Sequence, residues 1–312
     1  MEIVTLGRTN LKVSVAGLGT GGHSRIGLAK YGEDHAASIV KAAFDGGVNF
    51  FDSSKVYGTQ AALGKGLNGI KRDAYVLSTK FPYKQGDKVL PVQAFWDALE
   101  ESLRLLNSDY IDIYHLHAVE VEDLETVKER FLPELIKAKE QGKIRFTGVT
   151  EAFIPDPGHE MLALATEQNL FDVVMVGYNM LNQSADERVL PYTKKNNIGT
   201  LCMFAVRTAL SNLAALSEAI ALMLAKGQGD ADMLKQYGEL AFLTQEGAAA
   251  SIMQAAYRFC RHADGLDVIL TGTSSIEHLK DNLRAIEMPA LPKETVERLR
   301  AMFKGVDCVS GE

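Results

Sequence analysis

Four side chains capable of proton chemistry stand at the ends of apolar runs in the first half of the chain. Asp52 closes the run 48–52, Tyr57 follows in the adjoining segment, Lys80 closes 75–80 and His117 closes 110–117. A tyrosine hydroxyl, with a reference pKa of about 10, is a poor acid at neutral pH, but a neighbouring ammonium stabilises the phenolate and lowers that value. Lys80 can act this way on Tyr57 if Asp52 holds it in place. Singly, each residue has a plainer explanation: a salt bridge for Asp52 and Lys80, packing for a tyrosine next to Gly58. As a foursome at matching run ends they read as a catalytic set rather than a chance grouping.

Two other motifs invite chemistry and resist it. Gly17-Leu18-Gly19-Thr20-Gly21-Gly22 fits the spacing G-x-G-x-x-G, yet residues 23–32 contain Gly27 and Gly32 and show no helical apolar period. A dinucleotide fingerprint must open directly into a helix that receives the pyrophosphate, so we read a glycine-rich loop that lets backbone come close to something at the mouth of the first strand. His115 and His117 form H-x-H on one strand face, a metal-like spacing. No further histidine with an acidic partner stands at a strand end, so we read His115 as a hydrogen-bonded core residue one layer deeper and expect no metal.

The elements that position these residues alternate along the chain. Short apolar runs at 15–19, 48–52, 75–80, 110–117, 144–149, 171–178, 200–206 and 267–271 are each followed by an amphipathic segment, at 34–44, 60–68, 92–106, 127–141, 159–168, 186–196, 248–262 and 276–286. Parallel strands buried on both faces read as continuous apolar runs, as Val173-Val174-Met175-Val176 and Val268-Ile269-Leu270 do. Eight strand-helix pairs with no linker between them predict an α/β fold: one (β/α)8 TIM barrel spanning 1–312. Runs at 2–6 and 12–15 around Gly7-Arg8-Thr9-Asn10 predict an N-terminal β-hairpin. The segment 208–247 is far longer than a usual βα connection. It contains a helical period at 213–224, a break at Gly227-Gln228-Gly229 and a second short helix near 232–240, so we expect an insertion after strand 7, over the C-terminal face, as a lid.

Composition narrows the function. Over 312 residues, 33 Lys+Arg against 40 Asp+Glu give a net charge of −7, which supplies no basic excess for nucleic acid phosphates. With 46% hydrophobic and 23% charged residues the chain is globular rather than disordered or fibrous. No run of about 18 uncharged apolar residues occurs and the first residues lack a signal-peptide core. We therefore expect a cytoplasmic protein without membrane or nucleic acid partners. Cys202, Cys260 and Cys308 are odd in number and far apart, which suits reduced thiols.

Asp52-Ser53-Ser54-Lys55-Val56-Tyr57-Gly58, Ser78-Thr79-Lys80 and residues 99–117 (LEESLRLLNSDYIDIYHLH) resemble the aldo-keto reductase family. The likeness continues through Gly142-Lys143-Ile144-Arg145 and Gly148-Val149 to residues 271–282 (TGTSSIEHLKDN), and so covers nearly the whole chain. It implies a (β/α)8 barrel that binds NAD(P)H in extended form without a Rossmann domain, with the family's Asp, Tyr, Lys and His falling on Asp52, Tyr57, Lys80 and His117. The implied activity is hydride transfer between nicotinamide and a carbonyl or alcohol carbon of an aldehyde, ketone or sugar-like small molecule. A non-redox lyase or isomerase using the same Tyr/Lys pair, and a nucleotide-sensing regulatory subunit, remain as competing readings.

The resemblance also maps a cofactor site, with departures. It places Gly19, Thr20 and Asp52 at the first two strand ends against the cofactor. Where many members hold the carboxamide with Ser-Asn and Gln, this chain has Thr150, Glu151 and Met175; a methionine cannot replace an amide as a donor. The usual aromatic-Ser-Pro-Leu appears as Phe204-Ala205-Val206-Arg207, in which Phe204 can still stack on nicotinamide. Gly272, Thr273, Ser274 and Ser275 precede a helix and suit phosphate oxygens. His278, Asp281 and Asn282 complete the implied adenosine pocket. NADP-preferring members often carry Lys and Arg where Gly272 and His278 stand, so NAD against NADP is open, as is the oligomeric state.

Overall fold

A parallel strand buried on both faces needs apolar residues at successive positions, and each such run becomes a barrel strand. The structure, a computed structural model, describes residues 1–312. Its strands are β1 (Ala16–Gly19), β2 (Phe50–Asp52), β3 (Val76–Phe81), β4 (Ile111–Val119), β5 (Ile144–Glu151), β6 (Val173–Gly177), β7 (Gly199–Met203) and β8 (Val268–Thr271). They pair in parallel and in sequence, and β8 returns to β1 to close the barrel. This is the (β/α)8 barrel that the alternation predicts.

The N-terminal hairpin pairs Ile3–Thr5 with Lys12–Ser14. Its Leu6, Leu11 and Val13 meet Phe50, Val76, Ile113, Val173, Leu201 and Val268 in an inner cluster, so the hairpin stoppers the N-terminal end of the barrel. Arg8 pins it there, donating to Asp172 Oδ1 at 3.1 Å and to the Phe171 carbonyl at 2.6 Å. Two expected helices are each divided. Residues 124–140 form Leu124–Arg130 and Leu132–Glu140, and 185–196 form Ala185–Arg188 and Leu190–Asn196, with Pro133 and Pro191 in the first turn of each second helix. Proline lacks the N–H that an uninterrupted helix would use, whereas a first turn does not need it. No helix is long and apolar enough to cross a membrane.

The insertion folds as expected into helices, chiefly Leu213–Lys226 and Ala231–Tyr237, capped by the side chains of Asn212 and Asp230. Beyond its first turn, Thr208–Ser211, whose Ala209 N–H donates to the Gly311 carbonyl at 3.0 Å, its anchoring contacts lie elsewhere than the strand ends. The Asp230 N–H donates to the Met302 carbonyl at 2.9 Å, Gln228 bonds Asp307 at 2.6 Å and Arg298 bonds Glu246 at 2.8 Å. Its anchorage is therefore the outer helix Lys293–Met302 and the turn after it. What reaches the mouth is the tail that follows, through Glu312.

Candidate active site

Strand register does the first part of the assembly. Gly19 pairs with Asp52, Asp52 with Ser78, and Lys80 with His115, so the inward side chains Asp52, Ser78 and His115 lie in adjoining layers with Lys80 above them. Lys80 is fully buried, and its Nζ donates to Asp52 Oδ2 at 2.6 Å and to the Ser53 carbonyl at 2.7 Å. Asp52 Oδ1 accepts from Ser78 Oγ at 2.8 Å. Burial pushes the Asp52 carboxyl upward while the Lys80 ammonium opposes it. The buried ion pair has several hydrogen bonds around it, which is the condition for a buried charge pair to be tolerated.

Tyr57 lies in a single 3-10 turn, Lys55–Tyr57, that Gly58 ends at φ 72. Its ring lies against the backbone of Gly21, where any Cβ would overlap it. This is the close approach that the glycine-rich loop provides: a tyrosine ring, not a pyrophosphate. The Tyr57 hydroxyl is 3.3 Å from His117 Nε2, and Lys80 Nζ is 5.1 Å from the ring centroid. The expected downward pull of Lys80 on Tyr57 is present but does not win. Burial raises the hydroxyl's pKa above its ordinary value, Lys80 lowers it, and Asp52, by cancelling part of the Lys80 charge, raises it again. Tyr57 is thus a neutral hydroxyl at physiological pH.

A β-bulge aims His117. Leu116 pairs with Val149 but Val119 with Glu151, so β4 carries one extra residue at His117–Ala118, and Ala118 has φ 52. The freed Ala118 N–H is accepted by Thr150 Oγ1 at 2.7 Å. Burial first, then Lys80 and Arg25, lowers the His117 pKa to about 3, so the imidazole is neutral. Its Nδ1 is 3.1 Å from Ser54 Oγ. If Ser54 donates there, Nε2 carries the proton and faces the Tyr57 hydroxyl. His115 is the core residue expected, fully buried with Nε2 3.1 Å from Ser78 Oγ.

The structure brings Asp52, Tyr57, Lys80 and His117 together and distributes the remaining expected residues unevenly. Thr20 turns its hydroxyl to the Asp52 carbonyl at 3.0 Å and to Thr59 at 2.7 Å. Thr150 braces the bulge. Glu151 is directed away from the mouth: its carboxylate is buried, accepts from Gly177 N at 2.6 Å and sits 2.9 Å from His159 Nδ1. A contact from Glu151 to an amide ligand is therefore not prepared. Met175 packs in the inner cluster with Phe50, Val76 and Ile113. Phe204, at φ 67, carries the Arg207 guanidinium 3.9 Å from its centroid.

At the far side of the mouth Gly272 lies so close to the Gly19 carbonyl that a Cβ would overlap it. Thr273, Ser274 and Ser275 follow at the start of helix Ile276–Glu287, and Ser275 Oγ caps it by accepting from His278 N at 3.3 Å. His278 and Asp281 are exposed, Asp281 beside Arg284 at 3.4 Å, while Asn282 donates to Thr271 Oγ1 at 3.0 Å. Residues the sequence did not announce are Ser54, Ser78 and Arg25, whose guanidinium is 5.0 Å from the Tyr57 centroid. Ser54 and Ser78 stand inside the motifs Asp52–Gly58 and Ser78–Lys80, the one local signal for them; nothing local marks Arg25.

An eight-stranded parallel barrel whose strand ends converge an Asp-Lys pair, a tyrosine and a neutral histidine defines a barrel enzyme for proton-coupled chemistry on an oxygen. Residues 17–304 match the sequence profile of the Aldo/keto reductase family, and the chain belongs to that family. It is an NAD(P)-dependent oxidoreductase of carbonyl or alcohol substrates. Among its relatives, L-galactose dehydrogenase of Arabidopsis thaliana is 28% identical over 322 residues, covering 98% of this chain and 95% of that protein. Probable aldo-keto reductase 1 of Glycine max is 28% identical over 207 residues, 64% of this chain and 58% of that one. Among solved structures, the holo form of aldo-keto reductase AKR11C1 from Bacillus halodurans superposes with TM-score 0.71 at 22% identity, over 98% of this chain and 97% of that one. That likeness carries the fold.

Proposed function

We propose that Tyr57 is the proton donor in carbonyl reduction and the acceptor in alcohol oxidation, acting on a small sugar-like substrate. The observation that carries the reading is a neutral hydroxyl facing a neutral imidazole at 3.3 Å, with a buried ammonium behind it. His117 orients the reacting oxygen through Nε2, Ser54 fixes the tautomer through Nδ1, and the Asp52-Lys80 pair stabilises the charge that develops on Tyr57 when its proton leaves. The length of the match to a plant L-galactose dehydrogenase supports a hydroxyl-rich substrate.

The residues present fit an extended dinucleotide. Phe204 offers a ring face that already accepts a flat group, and Thr273 and Ser274 offer N–H donors just before a helix start, the Ser275 N–H being already donated to Thr273 Oγ1 at 3.2 Å. Bound there, the nicotinamide supplies and accepts the hydride. Phe204 and Arg207 would hold its nicotinamide half, and Thr273, Ser274, Ser275 and Asn282 its adenosine half. We further propose NAD over NADP. Gly272 and His278 give no fixed cation, and Glu277, exposed and accepting from Ser275 Oγ at 3.0 Å, adds a carboxylate next to the residues that would hold the adenosine half, which would disfavour a further phosphate there. His278→Arg with Glu277→Ser should lower the NADPH Kd by about tenfold and leave that of NADH within about twofold.

The deciding experiment follows absorbance at 340 nm with a panel of aldoses, lactols and aldehydes. Turnover with matching absorbance change, lost in Tyr57→Phe, is expected. Product formation at constant absorbance would replace this reading with the lyase or isomerase one.

A further inference from the structure

Beside Tyr57 the chain already seats an anion of its own. Arg207 Nη2 is ion-paired to the Glu312 side chain, whose Oε1 lies 2.9 Å from His23 Nε2. Arg207 Nε is buried and has no partner. Arg25, two residues beyond His23, is held over the Tyr57 ring by left-handed backbone at Arg25 (φ 45) and Ile26 (φ 50), a conformation that side-chain-bearing residues disfavour and that recurs at ligand clamps. Glu312 arrives on a strap fastened by two fully buried amides: Asn179 Nδ2 donates to the Ser310 carbonyl at 3.0 Å and Asn182 Nδ2 to the Val309 carbonyl at 2.9 Å. Ala209 N donates to the Gly311 carbonyl at 3.0 Å.

We propose that His23, Arg25 and Arg207 form an anion seat at the rim of the Tyr57 site, that Glu312 fills it in the free protein, and that a carboxylate or phosphate of the incoming ligand displaces Glu312. A guanidinium presents a fork of donors suited to two oxygens at once. Here one arm is on a carboxylate and Nε has no acceptor, so the seat is half satisfied. An entering anion can use both. The seat rests on the proposed function only in the claim that ligands approach Tyr57. The anion has two possible sources, the cofactor's pyrophosphate or a carboxylate on an acidic substrate.

Binding measurements separate the sources without requiring turnover, so a failure of the oxidoreductase reading would leave the test intact. Isothermal titration of the full chain at fixed ionic strength would use ADP-ribose and gluconate as probes, with wild type, Glu312→Gln, Arg207→Gln and Arg207→Lys. The expected result is that Glu312→Gln tightens one probe at least threefold, Arg207→Gln weakens the same probe at least tenfold, and Arg207→Lys falls between. Effects on ADP-ribose assign the seat to the pyrophosphate, and effects on gluconate assign it to the substrate. Unchanged Kd values for both probes in Glu312→Gln would overturn the proposal, as would wild-type binding by Arg207→Gln. Should Arg207→Gln fail to fold, wild-type affinities in Arg207→Lys and Glu312→Gln together would overturn it.

Discussion

At the scale of single residues, the decisive quantity is the protonation state of Tyr57. Its pKa is raised by burial more than Lys80 lowers it, so the hydroxyl stays protonated through the neutral range. The protonated form is the acid in reduction, so the reduction rate should be flat from about pH 6 to 9 and fall only above about 10. Oxidation needs the unprotonated form and should climb across the same interval. Initial rates in both directions would check this, and a reduction rate that drops between pH 6 and 8 would assign the proton to another group. The Asp52-Lys80 pair makes a second prediction. Lys80→Met strands a buried carboxylate and should cost about 3–5 kcal/mol in urea unfolding. Asp52→Asn with Lys80→Met should recover much of that stability without recovering turnover.

At the scale of elements, His117 owes its aim to a bulge rather than to regular strand geometry. Thr150 Oγ1 is the acceptor that the displaced Ala118 N–H requires. Thr150→Val keeps the shape and removes that acceptor, leaving a part-buried donor unmet at a cost of about 1–3 kcal/mol. Because His117 then loses its fixed position, the substrate KM should rise and kcat fall, each by about threefold to tenfold, while the NADH Kd measured by fluorescence stays within about twofold. Equal losses in all three would mean that the substitution acts by general unfolding instead. The hairpin acts at a distance from the chemistry, and the insertion meets the rim of the site only through the Ala209 N–H on the Gly311 carbonyl. One closes the N-terminal end of the barrel, and the other buttresses the outer helix from which the strap departs.

At the scale of the whole molecule, two imidazoles with lowered pKa, the buried His115 and the half-buried His117, couple stability to pH. Burial lowers His115 well below its ordinary value and His117 to about 3. An unfolded chain takes up protons at both histidines near pH 6.5, and the folded chain does not. Stability should therefore be full above about 6.5 and decline as pH falls towards 3. Urea midpoints at pH 7.5, 6, 5 and 4 would trace the decline, and His117→Gln should make it shallower. An identical slope in that variant would show that His117 is protonated in the folded state.

Much of this protein was legible in the chain itself. The barrel was readable because strands buried on both faces demand uninterrupted apolar runs, and the Asp52, Tyr57, Lys80 and His117 set because each stands at or beside the end of such a run. The division of two helices is written in the chain as well, at Pro133 and Pro191. Contacts between distant residues were not. Arg207 and Glu312 are far apart in sequence and meet only because Asn179 and Asn182 fasten the strap. Glu151 looks like a ligand contact until His159 and Gly177 N claim its carboxylate. The direction of the Tyr57 shift is likewise tertiary, since it is a balance of desolvation and two opposed charges brought together by three strand ends. Side-chain type and local periodicity follow from sequence alone, whereas partner, burial and protonation state depend on which distant atoms the closed barrel places within a few ångströms.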